Sequence, residues 1–462
     1  MSTFAPRHGT HHEGRMEMGA RTSGRLRRGL ALLATTSLLA IATGGSPGIA
    51  LAAGPSSGVL CTSAAGTSPT FTLTARSGYI SMPDGNTIFS WSYANGSGAF
   101  QFPGPVLCVN QGDTVTVVLN NTLGEAVSIM FPGIDGVLAN GAPAQPEASG
   151  PTITSLVPSA QPGGSVTYSF TAARPGTFLY ESGTDPGKQV QMGLYGALIV
   201  RPTGHADAGY TDGAGNPIGQ FNPGNEYVML LSEIDPLLHQ AVEFGDAYDV
   251  TQLHPRYWLI NGRAFPDTIA PNNAAWLPSQ PYSSLVHVPV TDTTQPGGSH
   301  PPALVRYLDA GSRNHPFHPH GQNGTVIARD ALPLVDAANN DLSYETYSFS
   351  IGSGQTWDQT YHYDNQEAYD PGTNPVPVTI PQLQNLNFKG AATYYGGSPY
   401  LGYKAGLPVG TTTFNQCGEF YMVWHSHALN EVANYDASFG GMLTLERIDP
   451  LPSQQHAGTC SQ

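Results

Sequence analysis

Charge is scarce in this chain: only 11% of its 462 residues are Asp, Glu, Lys or Arg. Long segments with a 3.6-residue apolar period are scarce as well, while glycine (55) and proline (39) are abundant. That combination excludes an ordinary α/β cytosolic enzyme and points to an all-β, exported protein. Basic residues number 18 against 33 acidic ones, and the formal net charge of −15 argues against nucleic acid as a partner while suiting cationic metal ions. Cysteine is limited to Cys61, Cys108, Cys417 and Cys460, with no CxxC pair, so zinc-ribbon and redox-motif readings fail. In an oxidising compartment two disulfides are the simplest outcome, and three connectivities are open. Cys61 with Cys108 and Cys417 with Cys460 would staple each end locally, and crossing the ends is equally legal. There is no phosphate loop, no Ser-His-Asp arrangement with a local signature and no nameable glycosidase pair.

The N-terminus reads as an export signal. Arg21, Arg25, Arg27 and Arg28 precede an apolar run from Gly29 to Ala42, and Ala50-Leu51-Ala52 supplies small residues for cleavage. The adjacent Arg27 and Arg28 leave the twin-arginine route open. Residues 1–53 are therefore set aside as signal peptide and processed N-terminus, which implies a secreted or extracytoplasmic location, and no later stretch is apolar and long enough to span a bilayer. After a linker at 54–68, runs such as Phe71-Thr-Leu-Thr, Thr114-Val-Thr-Val-Val-Leu and Ser165-Val-Thr-Tyr-Ser-Phe lie between Gly, Asn and Asp turns. They predict a first sandwich over 69–202. Residues 203–225 read as an interdomain linker, 226–450 as a second sandwich and 451–462 as a tail. Tyr363 to Phe414, rich in Pro, Asn, Gly and Tyr, reads as one elaborated loop.

Two histidine clusters stand out against this uncharged background: His315-Pro-Phe-His318-Pro-His320-Gly321 and Trp424-His425-Ser426-His427. Side chains two apart on an extended strand share a face, so His318 pairs with His320 and His425 with His427. Neighbouring strands would bring four imidazoles together, a donor set that suits copper, zinc, iron or nickel. His315 is a fifth candidate ligand. His239, His254, His287, His300 and His362 are isolated and read as hydrogen-bonded or exposed residues. A faint internal repeat aligns Gly176-Thr-Phe-Leu-Tyr-Glu181-Ser182-Gly183 with Gly418-Glu-Phe-Tyr-Met-Val-Trp-His425-Ser426-His427, so Glu181 and Gly183 stand where the second copy has histidines.

With these stretches in order, the exported part resembles a multicopper oxidase built from two cupredoxin-like Greek-key β-sandwich domains. The resemblance rests on Phe102-Pro-Gly-Pro, Gly176-Thr-Phe-Leu-Tyr, Tyr257-Trp-Leu-Ile-Asn-Gly-Arg-Ala-Phe-Pro and both histidine motifs. It implies copper as cofactor, His315 as the type 1 histidine, His318 as the type 2 ligand, His320, His425 and His427 as type 3 ligands, and Met442 as the axial residue. The chain also departs from the pattern. Ser426 holds the cysteine position, and a hydroxyl cannot replace the thiolate of a blue-copper site. The last histidine of the second motif has no counterpart, with Glu431, Asn434 and Asp436 in that region. In the first sandwich Met130-Phe-Pro132-Gly133 and Glu181-Ser182-Gly183 replace both histidine motifs, so the metal ligands are absent there.

The expectation is an exported copper-binding protein of multicopper oxidase type, an oxidoreductase with a type 2/type 3-like histidine site and no blue centre. Its partner would be a small-molecule or metal-ion reductant. The alternatives are copper binding or delivery without catalysis, a structural role, or a closed zinc site that only stabilises the fold. Glu181 would join the site only if the first domain faced the second. Two-domain relatives generally form trimers. Here the first domain brings no histidine to such an interface, leaving trimer and monomer both open.

Overall fold

The computed structural model describes residues 57–294, 298–365, 420–435 and 437–451, with short strands at 388–390, 393–395 and 404–405. The stretch read as an export signal, Cys417 and Cys460, most of the long 363–414 segment and nearly all of the tail lie outside the described residues. The described residues all fall in one compact unit.

The chain folds as two β-sandwiches. In the first, β1 (Thr70–Ser81), β2 (Thr87–Asn95), β4 (Thr114–Asn121) and β5 (Ser165–Thr171) form one sheet in the order β2-β1-β4-β5, extended by the short strands Leu138–Ala139 and Ala142–Pro143. The facing sheet runs Cys61–Thr62, β3 (Val106–Asn110), β7 (Tyr195–Arg201) and β6 (Gly176–Glu181). In β4 burial alternates residue by residue, the period-2 pattern that puts Val115, Val117 and Leu119 in the core and Thr114, Thr116 and Val118 outward. Cys61 and Cys108 are disulfide-bonded and pin the short first strand to the sheet.

The second sandwich repeats this topology. One sheet follows the order β9-β8-β11-β15-β13, where β8 is Glu226–Ile234, β9 Tyr257–Ile260, β11 Ala303–Asp309, β13 Gly324–Arg329 and β15 Thr356–Tyr361. The other follows β14-β12-β16-β17-β10, with β10 at Val286–Thr291, β12 at His315–Pro319, β14 at Phe349–Ile351, β16 at Phe420–Ser426 and β17 at Leu443–Asp449. The parallel pair β1/β4 of the first sandwich returns as β8/β11, and β3/β7 returns as β10/β17. The antiparallel β6/β7 returns as β16/β17, the repeat foreseen in the sequence.

The stretch read as a linker contains a hairpin, Ala208–Thr211 with Pro217–Gln220, whose Tyr210 is fully buried. Its hydroxyl donates to Asp358 of β15, which also accepts from Thr177 of β6 at 2.8 Å. Arg306 of β11 donates to Thr177 at 2.9 Å and pairs with Glu226 at 2.8 Å, and Glu226 is met from the first sandwich by Arg201 at 2.5 Å. Buried charges persist only when paired and hydrogen-bonded, so this network locks the sandwiches in one register. Around it lies a shared apolar layer in which Leu179, Tyr195 and Ile199 pack with Val228, Leu230 and Leu259.

Candidate metal centre

β12 and β16 are antiparallel neighbours, with Phe317 opposite Ser426, His318 opposite His425 and Pro319 opposite Trp424. Along β12 the odd-numbered residues His315, Phe317 and Pro319 are buried, and His318 is only half-buried. Strand parity therefore separates His315 from His318: an offset of three residues puts the rings on opposite faces. The same alternation buries Ser426 and turns His425 and His427 outward, where His425 is half-buried and His427 exposed.

On the outward face four imidazoles gather. Ring centroids lie 4.6 Å apart for His318 and His320, 5.1 Å for His320 and His425, 5.2 Å for His318 and His427, and 5.6 Å for His425 and His427. His318 donates Nδ1–H to the Tyr347 carbonyl at 2.8 Å, and His425 donates Nδ1–H to the Ser426 carbonyl at 2.7 Å. Both rings thereby keep a lone pair on Nε2. The Nε2 atoms of His320 and His425 are 3.1 Å apart. With the second an acceptor, the first supplies the proton between them. Burial and the surrounding imidazoles hold His320 and His425 below the ordinary histidine value, favouring the neutral ring that binds metal.

The donor set fits a borderline metal such as copper. Two nitrogens 3.1 Å apart match neighbouring ligands on one ion at about 2.0 Å, subtending roughly 100°. Among the described residues, no three His, Cys, Asp or Glu side chains are already closed into a cage.

His315 does not join this group. It is fully buried on the inner face, with Nδ1 2.9 Å from Glu431 Oε2 and Nε2 3.5 Å from Glu233 and 3.8 Å from Asp309. Burial alone would depress its pKa, but Glu233, Glu431 and Asp309 push it up to about 10, so the ring is an imidazolium. Glu233 would be raised by burial, but the charge and hydrogen bond of His315 hold it low, while burial pushes Asp309 up to about 8. Ser426 Oγ donates to Glu431 Oε2 at 2.5 Å. The pocket where the resemblance put a type 1 site thus holds a hydroxyl, an imidazolium and carboxylates, with Met442 buried and its backbone N–H bonded to the Glu431 carbonyl at 2.7 Å.

Glu181 ends β6 in the first sandwich, its backbone paired with Met130, and burial raises its carboxyl to about 7. His239 is buried between the Phe89 and Gln191 carbonyls, and His287 meets Asp449 at 3.0 Å, both in ordinary structural roles. Glu233 and Asp309 escaped the sequence reading, although each is a buried acid in a largely apolar strand. Tyr347 enters through its carbonyl, which leaves no mark in a sequence.

The chain matches the multicopper oxidase family model over residues 90–205. It is 39% identical over 287 residues to the L-ascorbate oxidase of Brassica rapa subsp. pekinensis, a match covering 57% of this chain and 44% of that protein. The chain is thus similar to multicopper oxidases. Laccase-25 of Oryza sativa subsp. japonica is 30% identical over 179 residues, covering 38% of this chain and 28% of that one. The chain spans less than half the length of these curated relatives. The blue copper oxidase from Nitrosomonas europaea, 19% identical, superposes with a TM-score of 0.53 over 82% of this chain and 85% of its own, which establishes the cupredoxin-type sandwich fold. Copper is the cofactor that these similarities imply. No helix among the described residues is long and apolar enough to cross a membrane.

Proposed function

We propose that the protein is an exported copper-dependent oxidoreductase whose reactive centre is the cluster of His318, His320, His425 and His427, and which works without a blue-copper site. The observation that carries this reading is the convergence of four imidazoles from two hydrogen-bonded strands, two of them with Nε2 lone pairs fixed by carbonyls. Copper held by imidazoles would supply one-electron redox chemistry. The protein's own contribution is to keep His318 and His425 in the ligating tautomer and to hold all four rings on one face. His320 and His427 are exposed, so a reductant can approach the centre itself. That access matters because the Ser426, His315 and Glu431 pocket offers no thiolate through which electrons could be relayed. A small phenol or a reduced metal ion such as Mn(II) is the substrate class that such direct entry admits.

The same exposure favours a second reading, in which the four rings receive copper and pass it to another protein. Copper loading followed by paramagnetic resonance, visible spectra and oxygen uptake with phenols or Mn(II) separates the two. About one copper per chain is expected, with a type 2-like signal and no intense blue band. Combining His425→Ala with His427→Ala should abolish both binding and uptake. Oxygen uptake unchanged in that double variant would eliminate the oxidase, and copper binding without any uptake in the parent would leave the carrier.

A further inference from the structure

We infer that Glu431 is a positioning residue: its carboxylate clasps the two histidine-bearing strands from their inner face and so fixes how the four outward imidazoles stand relative to one another. The inference rests on the four-imidazole reading for what is positioned, and on separate atoms for how. One carboxylate oxygen, Oε2, accepts from both strands, at 2.9 Å from His315 Nδ1 of β12 and at 2.5 Å from Ser426 Oγ of β16. His315 lies three residues before His318, and Ser426 lies between His425 and His427. The clasp therefore closes on the very segments whose other face carries the site.

Glu431 is itself anchored. It is 4% exposed in the short turn Leu429–Val432, and its carbonyl accepts from Met442 N–H at 2.7 Å just ahead of β17. A Cβ on Gly441 would come within 2.2 Å of that carbonyl oxygen, so only glycine lets the turn lie this close. The His315 ring is held at its far edge as well. Nε2 faces Glu233 and Asp309, and Glu233 is in turn fixed by Gln191 at 3.0 Å and by the Ser312 N–H at 2.7 Å. Among the described residues the outward rings are held by backbone carbonyls at His318 and His425 and by the His320–His425 contact, with no side-chain carboxylate among these partners. The rigid inner face therefore sets the register and separation on which the exposed face depends.

A buried ion pair can also be mere stabilisation, and replacing one by apolar residues of similar volume is often neutral or stabilising. This supplies the test in the full chain. Glu431→Gln and the combined variant His315→Leu, Ser426→Ala, Glu431→Leu are compared with the parent by thermal midpoint, by imidazole nitrogen resonances of the metal-free protein and by copper(II) titration. Loss of a group that orients ligands typically weakens metal binding by ~10-fold or more, and that loss is expected in both variants, together with displaced resonances of His318, His320, His425 and His427. A combined variant that melts like the parent and keeps both the resonances and the copper affinity overturns the inference. If the combined variant does not fold, Ser426→Ala carries the same test, because it removes one clasp bond and little volume. A parent that binds no copper defeats the four-imidazole reading alone, and the metal-free resonances still decide the clasp.

Discussion

Alkaline pH should loosen the second sandwich through His315. The ring is fully buried, faces Glu233, Asp309 and Glu431, and meets Trp258 edge-on with centroids 6.1 Å apart. Burial opposes its charge, yet the carboxylates win and push its pKa up from 6.5 to about 10. A group that holds its proton more tightly when folded contributes fully below its unfolded value, and that contribution fades as pH climbs to the folded one. The window is therefore pH 6.5 to about 10. At 1.36 kcal/mol per pH unit the ceiling is roughly 5 kcal/mol. Asp309, raised to about 8 chiefly by burial, releases its proton within the same pocket and shifts stability in the same direction. A net loss of up to roughly 5 kcal/mol across the window is the working expectation. Urea unfolding of metal-free parent and His315→Gln at both ends of the window measures it. The variant should start lower, by ~3–5 kcal/mol, because its carboxylates lose their cation, and should then fall less as pH rises. Identical pH dependence in the two proteins would refute an imidazolium in this pocket.

Two further outcomes follow from the packing. Replacing Cys61 and Cys108 by serine opens a disulfide spanning 47 residues, and the chain-entropy account puts the loss near ~4 kcal/mol, to be read as a drop in the denaturation midpoint that reductant reproduces in the parent. Gly311→Ala would set a methyl 1.9 Å from Glu233 Oε2, so the buried carboxylate must move; a cost of ~1–3 kcal/mol is expected, with the stability gap between pH 6.5 and 10 reduced because His315 loses part of its cage.

Much of this was legible in the residues. Alternating β-formers between glycine and asparagine turns announce the sandwiches, and the pairing of Glu181 with His425 in the repeat anticipates two copies of one topology. The two-residue spacing of His318 with His320 and of His425 with His427 places each pair on one strand face. The companions of His315 were not legible. They arrive from β8 and β11, about eighty and six residues upstream, and only the crossing of the two sheets brings Glu233 and Asp309 to one ring. Parity did carry a signal, since a spacing of three between His315 and His318 already separates their faces. The linker reading missed the hairpin because Gly, Asp and Asn mark its turn, while its hold on the body comes from Tyr210 reaching Asp358 far along the chain.

The apolar layer shared by Leu179, Tyr195, Ile199, Val228, Leu230 and Leu259 gives the histidine-free half a purpose of its own. That half is a wall for its sister. Were the chain cut at the hairpin, each fragment would present a greasy flank and half of an ionic lattice to water, and the fragments would cling together or precipitate before either could hold an ion. The absence of histidine from one half thus does not make it dispensable, because the two halves own their interior jointly.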